Sequence, residues 1–307
     1  MKISGYVLFS FAMLVLAGCK NKTDLDSDGM PGKLVIAVYA GGDNPGGLKA
    51  GLAPYQKYLE KKLGMEVQYD YATDYTAVIE AIRSHKAHVA YLSPFSYVLA
   101  SQSHDITPLV TLGENGKPSM YHSVIFSNYK TGINNINDLK ARAKNLTLCF
   151  ADPASTSGHL IPRAYLTTIG LNPDDAFKQT IFAGSHPASV LSVATGKIDI
   201  GCSTTEYGVE KLERSGVLKK GLIKILWTSD PIVSAPVVIR NDVNKELAFK
   251  LKNIYLNLRT EAPEILNDYV ILTHPNPSKY KYIEVNDSLY NGLRKIAKGI
   301  KNLNIAN

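Results

Sequence analysis

Apolar residues recur along the chain in two alternating rhythms. "KLVIAVYA" (33–40) is a continuous β-rich run ending in the loop "GGDNPGG", and "LKAGLAPYQKYLEKKLG" then spaces its apolar positions as a helix does, with Gly64 to end it. "EVQYDYAT" reads as a strand, and "DYTAVIEAIRSHK" as a helix capped at Thr73 or Asp74 with Ala77, Val78, Ala81 and Ile82 on one face. "AHVAYLS" is the next strand. The same order returns: strand "NLTLCFAD", loop "PASTSG", helix "HLIPRAYLTTIG" closed by Gly170, strand "KQTIFAG", helix "SHPASVLSVATGK" and strand "IDIGCST". Strands alternating with helices predict an α/β protein with helix-covered, parallel sheets. Sliding the chain by 111 residues lays the two runs on each other, setting Val38 on Cys149, Ala40 on Ala151, Tyr75 on His186, Lys86 on Lys197 and Tyr91 on Cys202. The order of elements repeats rather than the residues, which suggests two lobes of similar build.

Two extended stretches, "MYHSVIFSN" (120–128) and "IKILWTSDPIVSAPVVIR" (223–240), flank the second run. If both cross between lobes, residues 123–234 form a lobe inserted into a first lobe of residues 33–122 plus 235–307. A cleft with two hinge crossovers is left between them, flexing near 123–128 and 228–234. The chain ends with two helices of the first lobe, one striped by Leu247, Leu251, Ile254 and Leu258, the other by Leu289, Leu293, Ile296 and Ile300.

The N-terminus changes the picture of where this body sits. Lys2, the apolar stretch from Tyr6 to Leu16 and the small residues of "LAGC" (16–19) have the order of a signal peptide, residues 1–18, and the stretch is shorter than the about 20 apolar residues of a spanning helix. The "LAGC" ending resembles the lipobox of bacterial lipoproteins, which implies cleavage before Cys19 and a lipid, palmitate included, on that residue. Residues 19–32 are polar and lack periodicity, so they read as a flexible tether. The expectation is an exported protein held to a membrane through the lipid alone, facing the periplasm or cell exterior.

The net charge of +7 is modest for 307 residues, and no arginine run or basic–aromatic cluster marks a nucleic-acid partner. The three cysteines have no CxxC or CxxH spacing, so no metal site is expected, and Cys149 and Cys202 read as buried free thiols rather than a disulfide. His85 and His88 stand three apart at a polar helix end and read as solvated surface. There is no GxSxG elbow, so the chain is not expected to be an enzyme or to need a cofactor.

"ADPASTSGHLIP" (151–162) raises a sharper question. One hydroxyl caps a helix, yet Ser155, Thr156 and Ser157 precede Gly158 at a strand-to-helix junction. Ligands of parallel α/β sheets sit outside the carboxyl ends of the strands, where helix N-termini favour anions. Pro162 means that the helix either kinks there or begins near it.

"DPASTSGHLIPRAYL", "DYTAVIEAI…VAYLSPFSYVLA", "MYHSVI", "GSHPASVLSVATGKIDIGC" and "TTEY", with a weaker echo in "YIEVNDSLYNGLRKI", together resemble the phosphonate-, phosphite- and phosphate-binding proteins of ABC importers. The resemblance implies the type II periplasmic-binding-protein fold. It also implies a small phosphorus oxyanion held between the lobes, permease and ATPase partners, and a monomer. By position, Ser155, Thr156 and Ser157 would hold the anion's oxygens, Tyr75 and Tyr121 would donate phenols, His186 would complete the shell, and Glu206 would face the substituent. Ala235 replaces a second carboxylate found in members that bind aminoalkylphosphonates. The alternatives are an anion-sensing receptor for a membrane kinase and a structural lipoprotein.

Overall fold

The computed structural model describes residues 24–41, 45–300 and 303; the signal peptide and Cys19 lie outside the described residues. The first apolar run is strand β1 (Leu34–Tyr39), largely buried on both faces, which is why it shows no polar alternation. Helix α1 (Pro45–Leu63) turns out through Gly64 at φ +74°, a conformation natural to glycine, into β2 (Val67–Ala72), parallel to β1. Asp74 caps α2 (Tyr75–Arg83) by accepting the Ala77 N–H, and Val78 and Ile82 are buried beneath it. Strand β3 (Val89–Tyr91) pairs parallel with β1, and Ser93 caps α3 (Pro94–Ala100). Strand β4 (Ile106–Glu114) and two short pieces, β5 (Lys117–Pro118) and β6 (Met120–Tyr121), follow.

Strand β7 (Ser123–Asn128) opens a second sheet, and α4 (Ile136–Arg142) leads to β8 (Thr147–Phe150). A π-helical turn, Thr156–Leu160, runs directly into α5 (Ile161–Thr168); the missing N–H of Pro162 is tolerated there because the Ser157 and Gly158 carbonyls accept from Ser123 Oγ and Ala151 N instead. Then come β9 (Gln179–Phe182), α6 (His186–Ala194), β10 (Ile200–Thr204), a second π-helical turn (Thr205–Val209) merging into α7 (Glu210–Arg214), and β11 (Ile223–Thr228). The strand order here is β11-β7-β10-β8-β9, with β8 parallel to both β9 and β10. Strand β12 (Ile232–Val233) pairs antiparallel with β6, Ile232 opposite Tyr121. The chain then rejoins the first sheet through β13 (Pro236–Arg240), α8 (Lys245–Glu261), α9 (Pro263–Val270), β14 (Tyr280–Glu284) and α10 (Asn291–Gly299). That sheet has the order β14-β4-β13-β3-β1-β2, with β5 on β4.

The two passages between sheets lie side by side as the β6–β12 pair. Residues 123–128, expected to flex, are instead a fully buried interior strand. Both faces of each sheet carry a core. Leu52, Tyr55, Leu251 and Leu258 pack on one side of the first and Val78, Phe95, Tyr290 and Leu293 on the other. Leu139, Leu148 and Leu166 cover one side of the second, and Val190, Val193 and Leu212 the other. Cys149 and Cys202 are buried free thiols.

Two expectations fail at the far end of the first sheet. The tether read as flexible through residue 32 is folded onto the body from Asp24 onward: Leu25 bridges Pro31, and Leu25 and Met30 pack on the core. Arg240, 2 % exposed, binds Asp24 (Nη1–Oδ2 2.6 Å) and Asp242 (Nη2–Oδ2 2.7 Å). His88, read as solvated, is 3 % exposed: its Nδ1 accepts the Val35 N–H at 2.9 Å. Its Nε2 lies 3.0 Å from Asp24 but off the line of a good hydrogen bond. The helix-end argument missed this because β3 begins only one residue after His88 and carries it into the sheet.

Removing Asp24 strips a partner from a buried guanidinium. A chain beginning at residue 33 should be less stable than one beginning at residue 24 by about 1–3 kcal/mol in urea unfolding; equal midpoints would show that the docked segment contributes nothing.

Candidate functional site

The carboxyl ends of the parallel strands of both sheets meet in one cleft. Tyr39 closes β1, Tyr75 starts α2 and Ser93 caps α3 on one side; Ser155–Ser157, His186 at the start of α6 and Thr204 at the end of β10 stand opposite. Tyr75 and His186, matched by the 111-residue offset, open equivalent helices and come together edge to face, centroids 6.4 Å apart.

The two sides already touch. Phe95 N donates to Thr156 Oγ1 at 2.8 Å, the Ser93 and Ser96 hydroxyls donate to the Ala154 carbonyl at 3.2 and 3.0 Å, and Tyr75 N donates to Asp152 Oδ2 at 3.4 Å. Asp152 also accepts the Ala154 N–H at 2.7 Å, and burial raises its carboxyl above the ordinary range.

The three hydroxyls of 155–157 have different work. Ser155 Oγ caps the π-helical turn, accepting the Gly158 N–H at 3.0 Å, and lies 3.2 Å from His186 Nε2. Thr156 joins the two sides through Phe95. Together with Ser157 it also lies within hydrogen-bonding reach of the Tyr121 phenol. Gly158 is needed for closeness: a Cβ there would sit 2.4 Å from Ala151 Cβ and 2.9 Å from His186 Cε1. A cap and a set of spare donors therefore coexist in one stretch.

The aromatic donors are held neutral. Burial, then the neighbouring phenols of Tyr39 and Tyr121, push Tyr75 well above its ordinary value, and burial does the same to Tyr121. Tyr39 stacks on Tyr75 at 4.1 Å. Burial lowers His186 to about 4, and its Nδ1 lies 3.0 Å from Ser203 Oγ. Neutral hydroxyls and a neutral ring N–H can each donate to an anion without a charge of their own.

Six sequence-predicted residues, Tyr75, Tyr121, Ser155, Thr156, Ser157 and His186, line this cleft, which encloses about 580 Å³. Glu206 does not line it. Its carboxylate turns to His122, 2.9 Å from Nδ1 and 3.1 Å from the backbone N, and accepts the Thr204 hydroxyl at 3.2 Å. Glu206 sits in the π-helical turn after β10, and that turn, invisible to residue spacing, redirects it. Ala235 does line the cleft. Sequence reasoning missed Asp152 and Ser93, although they are the last residues of the predicted strands "NLTLCFAD" and "AHVAYLS". It also missed the tyrosines Tyr91, Tyr269 and Tyr282 on the cleft wall, for which pattern offered no signal beyond core aromatics.

Two α/β lobes joined by paired crossing strands around a cleft at the strand ends define a periplasmic-binding protein of the type II fold. Residues 42–282 match the family described as the ABC transporter, phosphonate, periplasmic substrate-binding protein, and the chain belongs to that family. It is 33% identical over 211 residues to the phosphonates-binding periplasmic protein of Escherichia coli, an alignment covering 68% of this chain and 62% of that one. It is 30% identical over 292 residues, 91% of this chain and 89% of the other, to the phosphate-import protein PhnD of Mycolicibacterium smegmatis. A crystal structure of a binding-protein component of an ABC phosphonate transporter from Pseudomonas aeruginosa superposes with TM-score 0.75 at 26% identity, covering 86% of this chain and 85% of that one.

Burial lowers His159 and His274, like His186, to about 4, against an ordinary 6.5. Between those values the unfolded chain binds more protons, so stability falls as pH drops. Asp152, raised by burial, works the other way, but it stands alone against these three rings and His88, which burial also lowers. The melting temperature should be level near neutrality and decline as pH falls from 6.5 towards 4, and His159→Gln should flatten the slope. A melting temperature unchanged over that window would contradict the burial of these rings.

Proposed function

We propose that this chain is the substrate-binding component of an ABC importer, closing two lobes on a phosphorus oxyanion such as a phosphonate, phosphite or phosphate. The observation that carries the reading is the convergence of Tyr75, Tyr121, Ser155, Thr156, Ser157 and His186 on one cleft, with no aspartate or glutamate among the described residues that line it. Three terminal oxygens on phosphorus suit donors arriving from both sides of such a cleft. The names of the Escherichia coli and Mycolicibacterium relatives support the same ligand class. Binding without reaction is the better account of His186: the group behind it is the Ser203 hydroxyl, not a carboxylate that would stabilise a protonated ring.

In this reading the protein is exported, works as a monomer with a permease and an ATPase, and hangs from the membrane by a lipid on Cys19. The β6–β12 pair is the hinge. The docked residues 24–32 hold the tether against Arg240, whose strand β13 runs antiparallel to β3 and therefore ends away from the cleft.

Each neutral donor to a charged oxygen contributes about 1.5–3 kcal/mol, so Ser157→Ala and Tyr121→Phe should each weaken methylphosphonate binding roughly 10- to 100-fold in calorimetry. With the lining free of carboxylates, 2-aminoethylphosphonate should bind more weakly than methylphosphonate. Unaltered affinity in both variants would place the anion elsewhere. Separately, Cys19→Ser should end palmitate labelling of the full chain; persistent labelling would remove Cys19 as the anchor.

A further inference from the structure

We propose that the cleft selects an oxyanion bearing a bulky, largely apolar substituent without positive charge: an aryl- or longer alkyl-substituted phosphonate or phosphate monoester, in preference to the bare inorganic anion. This deepens the reading of the cleft given above and rests on it.

Size is the first observation. The cleft encloses about 580 Å³, within the ~300–1,000 Å³ that hold drug-sized ligands. A water in the liquid takes ~30 Å³, so an inorganic oxyanion of a few waters' size leaves most of this space unfilled.

The walls are the second. The donors of 155–157 and His186 come from the second sheet, but the larger part of the lining comes from the first. There Leu48 of α1, Leu112 of β4, Tyr91 of β3 and Tyr269 of α9, each only partly buried, form an aliphatic and aromatic surface backed by the core residues Leu52 and Val237. Such a surface gains nothing from a hydrated inorganic anion and gains in proportion to apolar area from a ring or chain laid against it.

Charge is the third. Among the described residues the lining holds no acidic side chain, and Glu206 is turned to His122. A buried ammonium would therefore lack a carboxylate directly against it, which disfavours amino-substituted ligands.

Calorimetry on the chain from residue 24 tests the proposal with phenylphosphonate, phenyl phosphate, methylphosphonate, inorganic phosphate and 2-aminoethylphosphonate. The phenyl ligands should bind about 10- to 100-fold tighter than methylphosphonate, with the aminoethyl compound weakest. Whichever phenyl ligand is tighter tells a carbon–phosphorus linkage from an ester. Leu48→Trp, which fills part of the apolar wall, should lower the ratio of phenyl to methyl affinity about ten-fold; a ratio, unlike a single affinity, is insensitive to a fraction of misfolded protein. Phosphate or methylphosphonate binding as tightly as phenylphosphonate would overturn the proposal while leaving the oxyanion reading intact. Failure of all five to bind would overturn both.

Discussion

Burying a charged oxygen without a cation beside it is costly unless its lone pairs meet donors that are already in place. The six residues proposed to hold the anion include no lysine or arginine, so the contacts they would make come from hydroxyls, a ring N–H and backbone amides, while Lys211 and Arg214 line the cleft beside them. Much of the local architecture follows from that constraint. Ser155 is fixed by the Gly158 N–H, Gly158 is bare so that Ala151 and His186 can approach, and the turn they form is π-helical. Tyr75 and Tyr121 stay protonated because they are buried, and His186 stays neutral for the same reason.

The same residues join the lobes. Thr156 receives Phe95 N, Asp152 receives Tyr75 N, and the Ala154 carbonyl receives two serine hydroxyls. In the proposed reading, cleft closure and anion coordination would draw on one short loop. A ligand that adds bonds across this seam shifts the protein towards its closed form by its differential affinity for that form. The paired strands β6 and β12 are two residues each and Tyr121 lies in one of them, so a proposed hinge there would couple to the cleft.

Most of the fold was legible because apolar periodicity and helix punctuation are local. The β1-to-β3 run, its counterpart from β8 to β10, Gly64 and the Asp74 cap all stand where pattern puts them. The failures share a cause: each depended on a partner far along the chain. Asp24 is held by Arg240, 216 residues away, so composition alone made residues 24–32 look like a tether. His88 looked solvated because its neighbours in sequence are polar, although its ring serves Val35 on the adjoining strand. Six of the seven candidate site residues gathered because they sit at strand ends and helix starts, positions that topology sends to one place.

Glu206 shows why the seventh did not. A residue's position along the chain fixes its Cα, but its side-chain direction is set by the turn it occupies and the partners in reach. The Glu206 carboxylate sits in the π-helical turn after β10 and is taken up by the imidazole and backbone N–H of His122 and the Thr204 hydroxyl, at the edge of the cleft rather than in its lining. With Glu206 turned to His122 and alanine at 235, a substituent on the proposed ligand would meet a wall of Leu48, Leu112, Tyr91 and Tyr269. The hydroxyl loop, common to any phosphorus oxyanion, would then determine the class of ligand. This wall, which does not touch those oxygens, would determine the member of the class. A family can keep the loop and vary the wall, so kinship establishes the oxyanion more securely than the group attached to it.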